Sequence, residues 1–241
     1  MPKDSVIKIV KSADHFRHEE DWLSTNWHFS FDSYRDPANM GFGPLRVFND
    51  DTIQPGKGFG LHPHRDMEII TYVIDGELEH RDDRGNKGVV RAGEVQSMTA
   101  GTGIMHSEYN HSKTKPLRLL QMWIHADRRG LVPSWEQQSF KKEQRADRLL
   151  RVISPDGAMR IHQNAAVYVS SIGAGRTVRH ELGRGRKAYL FAIDGSTHVN
   201  GKALETTDAA RIEGEQELVI TADKPTELVL VDLPGEYHVN N

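Results

Sequence analysis

Short apolar and alternating runs, each closed by a turn signal, fill the middle of the chain. MEIITYVI (67–74) stops at Asp75-Gly76, ELEHRDD (77–83) at Gly85-Asn86, and GVVRA (88–92) at Gly93-Glu94. VQSMT (95–99) runs into the glycine-rich AGTG (100–103), and LRLLQMWIHA (117–126) is entered from Pro116. Runs of this length, separated by Asp-Gly or Gly-Asn joints, predict strands linked by tight turns. Two stretches break the pattern. Residues 15–25 and WEQQSFKKEQRADRLL (135–150) each predict a short helix, the second as a crossover between halves.

The second half repeats the first weakly. YVIDG (72–76) returns as FAIDG (191–195), AGEVQSMTA (92–100) as EGEQELVITA (213–222), and LRLLQMWIHA as ELVLVDLP (227–234). Three matches in one order at similar spacing predict a duplicated β-barrel. The expected fold is all-β, with two antiparallel jelly-roll barrels of the cupin type and few short helices. The first barrel is expected over 1–134, and a linker with the second over 135–241.

Composition narrows the function classes. The 241 residues are 37% hydrophobic and 27% charged, as in a soluble globular protein. A net charge of −3 supplies no basic field to gather nucleic acid, and no direct nucleic-acid partner is expected. No apolar run reaches the roughly 18 residues of a membrane-spanning helix, and the N-terminus MPKDSVIKIVKSADHF lacks a signal-peptide core, so a cytoplasmic protein is expected. There is no cysteine, so any metal site must use nitrogen and oxygen donors.

Such donors stand at strand spacing. In a strand, residues i and i+2 share a face, so His62-x-His64 places two imidazoles side by side and His106-x-Glu108 a second donor pair. Two such pairs on facing strands make a site of three histidines and one carboxylate, suited to Fe, Mn, Co, Ni, Cu or Zn. Pro63 cannot donate to a ladder, which puts this segment on an edge strand or at a strand start. Glu68 rivals Glu108, because it has the parity of His62 and His64 if no bulge intervenes. It also fits the general cupin pattern G-x5-H-x-H-x3,4-E counted from Gly56. The remaining histidines, His80, His125 and His162 among them, show no such pairing and read as ordinary hydrogen-bonded or packed residues.

The combination FSFDSY (29–34), MGFGPLRVFNDD (40–51), HPHRDMEIITYV (62–73) and AGTGIMHSEYN (100–110) resembles the pirin family. It is most similar to the bacterial members described as quercetin 2,3-dioxygenases. The resemblance covers the first barrel and its entry segment, and the second half matches loosely. It implies a bicupin with one divalent metal, Fe first among the candidates, held by His62, His64, His106 and Glu108. Glu68 is then left to orient a ligand histidine.

The activity so implied is CO-releasing cleavage of a flavonol such as quercetin by O2, with Glu108 accepting the 3-hydroxyl proton. Phe59 and Met105 are candidates to stack on the flat substrate. A non-catalytic metal-binding regulator is the second reading, and a Lewis-acid isomerase or hydrolase the third. A monomer is expected of a self-contained bicupin. The second barrel is expected to be metal-free. Projected from Gly76 onto Gly195, His62 and His64 fall on Glu181 and Gly183, and the His106 region falls on TADKPTE.

Overall fold

The structure, a computed structural model, describes residues 5–239. The chain divides into two compact units. One comprises Phe16–Phe140 with Ile161–Gln163, and the other the residues up to His15 with Lys141–Arg160 and Asn164–Tyr237. Strand β1 (Val6–Val10) opens the chain but belongs to the second unit.

The first unit holds β2 (Phe16–Glu19), β3 (Leu23–Trp27), β4 (Leu45–Ile53), β5 (Gly58–His64), β6 (Met67–Asp75) and β7 (Glu77–Asp82). It continues with β8 (Lys87–Arg91), β9 (Glu94–Thr99), β10 (Ile104–Asn110), β11 (Leu117–His125) and β12 (Ser134–Ser139). The second unit adds β13 (Leu150–Ile153), β14 (Ala166–Ile172), β15 (Thr177–Glu181), β16 (Lys187–Asp194) and β17 (Ser196–Val199). It closes with β18 (Lys202–Glu205), β19 (Ala209–Glu213), β20 (Glu217–Ala222) and β21 (Thr226–Leu233).

Each unit is two antiparallel sheets, and the strand orders correspond. The first unit has β12-β9-β6-β11-β4-β3-β2 beside β5-β10-β7-β8, and the second has β1-β19-β16-β21-β14-β13 beside β15-β20-β17-β18. The duplicated jelly-roll architecture expected from the repeat is therefore present. One of the three matches is out of step, however. AGEVQSMTA forms β9, whereas EGEQELVITA spans the end of β19 and all of β20. The counterpart of β9 is β19, and that of β10 is β20.

The two predicted helices are not formed. Residues 16–27 fold as the β2–β3 hairpin, because Leu23, Thr25 and Trp27 alternate inward with period two. In 135–150 the polar segment is the edge strand β12 followed by a single 3-10 turn, Lys142–Gln144. An edge strand exposed along most of its length carries no alternation for a sequence reading to detect. The boundary expected at 134/135 also differs from the pairing. β12 pairs with β9, while β1, from the far end of the sequence, pairs with β19. Each long sheet thus ends on that side in a strand from outside the repeat. Among the described residues no helix is long and apolar enough to cross a membrane.

The repeated Asp-Gly joints share one construction. Gly76 N donates to Asp75 Oδ1 at 3.0 Å, and Gly195 N donates to Asp194 Oδ1 at 2.9 Å. Their φ values are +86° and +98°. An added Cβ would stand 2.8 Å from the Pro116 carbonyl oxygen and 2.3 Å from that of Pro225. Positive φ alone costs a non-glycine residue about 1–3 kcal/mol. Gly76→Ala and Gly195→Ala should each destabilise by more than that alone. Gly201→Ala, at φ +77° with no atom within 4 Å of the new Cβ, should cost less. Urea unfolding curves check the order, and equal cost at all three positions would show that the close approach is immaterial.

Candidate metal centre

Strand β5 lies at the edge of the four-stranded sheet, pairs only with β10, and carries Pro63 where no ladder donor is missed. This pairing sets His62 opposite His106. The register then shifts between His106 and Glu108, so that Glu108 faces Phe59 on one side and His80 of β7 on the other.

Three imidazoles converge. Ring centroids are 4.4 Å apart for His62 and His106, and 4.8 Å for both His62–His64 and His64–His106. Ligand atoms of these three lie within 4.8 Å of one another. Glu108 falls in an overlapping group with His106 and His80 at the same limit. His62 and His64 are half-buried, while His106 and Glu108 are each 1% exposed.

The donor chemistry fits a cation. His62 Nδ1 stands 2.7 Å from the Gly60 carbonyl oxygen and donates to it, which leaves Nε2 as a lone-pair donor. Both ring nitrogens of His106 are buried without a hydrogen-bond partner, a costly state unless something else occupies one of them. Burial, then the neighbouring His106 and His62, pushes His64 down to about 3, and burial with His62 and His80 does the same to His106. Both rings are therefore neutral at pH 7, the form that ligates metal.

Glu108 is gripped from the facing sheet. Gln96 Nε2 donates to Oε1, and Gln121 Nε2 donates to Oε2 at 2.7 Å. Trp135 Nε1 donates to Gln96 Oε1 at 2.9 Å, and Trp123 Nε1 to Gln121 Oε1 at 3.0 Å, which fixes both amides. Each indole also touches a histidine. Trp135 stacks on His80 and Trp123 meets His64 edge-on, each at 4.8 Å. Burial raises the Glu108 carboxyl, against the pull of His80, His62 and the two amides.

A cavity of about 380 Å³ opens onto His62, His64 and Glu108. Its apolar walls include Trp22, Trp27, Phe31, Phe59 and Trp123. That is the size and character of a site for one small flat molecule.

Comparisons with known proteins give the family. A sequence model of the Pirin family matches residues 9–124, and one described as quercetinase C-terminal cupin domain matches residues 151–233. The chain is 42% identical over 230 residues to a quercetin 2,3-dioxygenase of Escherichia coli, covering 95% of this chain and 99% of that protein. The chain belongs to the pirin family. A pirin-like protein of Caulobacter vibrioides is 45% identical over 215 residues, covering 88% of this chain and 92% of that protein. The crystal structure of the bacterial pirin YhhW from Escherichia coli in complex with nickel(II) superposes with a TM-score of 0.90 at 41% identity, covering 95% of this chain and 99% of that one.

Within this pirin the structure separates residues that the sequence left together. Glu68 is fully buried, but its partners are Thr99 Oγ1 at 2.8 Å and the backbone N and Nδ1 of His162 at 3.3 and 3.2 Å. It ties segment 161–163 to the barrel and is hydrogen-bonded to none of the three converging histidines. The parity argument for Glu68 fails because the chain turns at Asp66, with φ +50°, and passes from one sheet to the other. Phe59 lines the cavity, whereas Met105 lines a separate shallow depression with Pro63 and Arg65.

His80 was missed. It is fully buried, it lies 3.5 Å from Asp82, and its Nδ1 has no hydrogen-bond partner. The alternation in ELEHRD, with Leu78, His80 and Asp82 on one face, was the available signal. In the second unit the corrected counterpart of β10 is β20, where Leu218 and Ile220 are fully buried in an apolar cluster. Among the described residues, no group of three metal-ligating side chains lies in that unit.

Elemental analysis of the protein purified without added metal should therefore give one ion per chain. Glu108→Ala should alter the ion's coordination spectrum, and Glu68→Ala should leave it intact. A spectrum changed by Glu68→Ala alone would restore Glu68 as the ligand.

Asp51 on the cavity wall generates a second expectation. Its carboxyl is pushed up to about 7 by burial, with Asp50 and Glu108 adding to the effect. In the unfolded chain it titrates near 4. Between those values the folded protein keeps a proton that the unfolded chain has lost, so stability falls as pH rises from about 4 to about 7. Asp51→Asn should raise the melting temperature at pH 8 and change it little near pH 4.5. A gain independent of pH would overturn this account.

Proposed function

We propose that this chain is a metal-dependent dioxygenase that cleaves flavonols such as quercetin with loss of CO, using one divalent ion held by His62, His64, His106 and Glu108. The observation that carries the reading is the convergence of three imidazoles at an aromatic-walled cavity beside a buried carboxylate. The names of the relatives at 42% and 41% identity support it.

A divalent transition metal in this site supplies a Lewis acid for a substrate oxygen and electronic coupling between substrate and O2. The chain's own groups do the rest. Trp27, Phe31, Phe59 and Trp123 flank a planar ring and exclude water from it. Glu108, whose carboxyl is held above the ordinary range, accepts the proton of the flavonol 3-hydroxyl at its Oε2 or Oε1. Gln96 and Gln121 keep that carboxylate in register, and their own amides cannot rotate because Trp135 and Trp123 hold them.

The metal-loaded protein should consume O2 and bleach the visible absorption of quercetin, and chelator or His106→Ala should abolish both. Glu108→Gln preserves shape but removes the base, so turnover should fall far more than metal content. If flavonol is never consumed in air with any of several metals, the dioxygenase reading fails and a metal-binding regulatory role replaces it.

A further inference from the structure

We propose that Asn49 and Asp51 form a hydroxyl-reading wall of the cavity, which selects flat aromatic ligands carrying phenolic hydroxyls beyond the one directed at the metal. The proposal rests on the flavonol reading for its ligand class, but neither wall residue is one of the proposed metal ligands. Both residues lie on β4, two apart, and so share one face of the sheet. Asn49 is 3% exposed and Asp51 is 2% exposed, and both line the cavity. Asn49 Oδ1 is buried without a hydrogen-bond partner. A buried acceptor in that state is costly unless a ligand satisfies it.

The neighbouring Asp50 provides the contrast. It points to the other face and is paired with Arg118 through two hydrogen bonds of 3.0 and 2.7 Å. The groups that act on Asp51 are Thr25, Asp50 and Glu108, and none of them is a cation.

The chemistry of the ligand follows from these surroundings. Two carboxyls, Asp51 and Glu108, face the cavity and repel an anion. The histidine cluster with its metal disfavours a cation. A neutral hydroxyl can donate to Asn49 Oδ1 and exchange a hydrogen bond with the Asp51 carboxyl in either protonation state. Aromatic walls require that the hydroxyl be carried on a flat ring. A site whose buried polar groups are left unpaired rejects an analogue that lacks the hydroxyl.

Calorimetric titration under nitrogen, with the protein as purified, tests this without turnover. The ligands are quercetin and 3-hydroxyflavone, which share the 3-hydroxyl and differ in the remaining ones. Wild type should prefer quercetin by about tenfold or more. Asn49→Leu/Asp51→Leu should bring the two ligands to similar affinity, and Asp51→Asn, which keeps hydrogen-bonding atoms in place, should retain most of the preference. Equal affinity of wild type for the two ligands overturns the proposal, whether or not the double variant folds, and so does an undiminished preference in the double variant. A protein that binds with this preference but never consumes flavonol refutes only the dioxygenase reading. One that turns over both ligands with no preference in binding refutes only the hydroxyl-reading wall.

Discussion

A carboxylate taken out of water is expensive unless its oxygens find donors, and Glu108, 1% exposed inside the first barrel, meets that requirement through Gln96 and Gln121. The two glutamines belong to the long sheet and Glu108 to the short one, so the grip spans the interior of the barrel. Cα pairing across the long sheet runs Asn49–Gln121–Thr71–Gln96, one polar rung through strands β4, β11, β6 and β9. The rung beside it, Val47–Trp123–Ile69–Met98, is apolar apart from the indole N–H that reaches Gln121. One row of polar side chains on the long sheet thus meets the buried carboxylate of the short one. The converging histidines, the cavity and the hydroxyl-reading wall are all arranged around that row.

The second barrel shows the same topology without the row. Its interior brings together Leu190, Leu218, Ile220, Leu228 and Leu230, all fully buried. That cluster is apolar throughout, and the two sheets are also linked at its margin, where His180 of β15 lies 2.8 Å from Asp232 of β21. The polar interior of the first barrel is a local departure, compensated by mutual hydrogen bonding and, when loaded, by the ion, whose binding to the folded state adds stability. The orphaned nitrogens of His106 mark where that compensation is incomplete in the protein alone.

Five strands of the first barrel and the pairing of His62 with His64 on one face were legible in the residues, for physical reasons. Asp-Gly joints and period-two runs are local signals, and β6, β7, β8, β9 and β11 fall within a residue or two of where they were expected. His62-x-His64 was readable because strand parity needs no tertiary information. What failed depended on longer range. β12 is an edge strand of polar residues, and its partner β9 is not visible in its own composition. Glu68 kept the right parity on paper, but a turn at Asp66 moved it to another sheet. The repeat slipped by one strand because Gly-Glu occurs both before β9 and after β19. The donor argument for the second barrel does not depend on that slip, since the true counterpart ELVITA also lacks histidine. His80 was unreadable as a neighbour of Glu108 until β7 was seen to pair with β10.

The two faces of the cavity come from different sheets, and this separates two tasks. The converging histidines ride on β5 and β10, where an edge strand with Pro63 leaves His62 and His64 half-buried. Asn49, Asp51 and Gln121 ride on β4 and β11, a central pair aligned over eight residue pairs and flanked by β3 and β6. Changes on β4 can alter which ligand is preferred without moving any of the three converging histidines. Changes on β5 alter the ion without touching the hydroxyl-reading wall. Only Glu108 belongs to both faces, since it is carried by the metal-bearing sheet and oriented by the other. Its two oxygens are the point at which ligand choice and metal chemistry are coupled, and any shift of Gln96 or Gln121 must be felt by both.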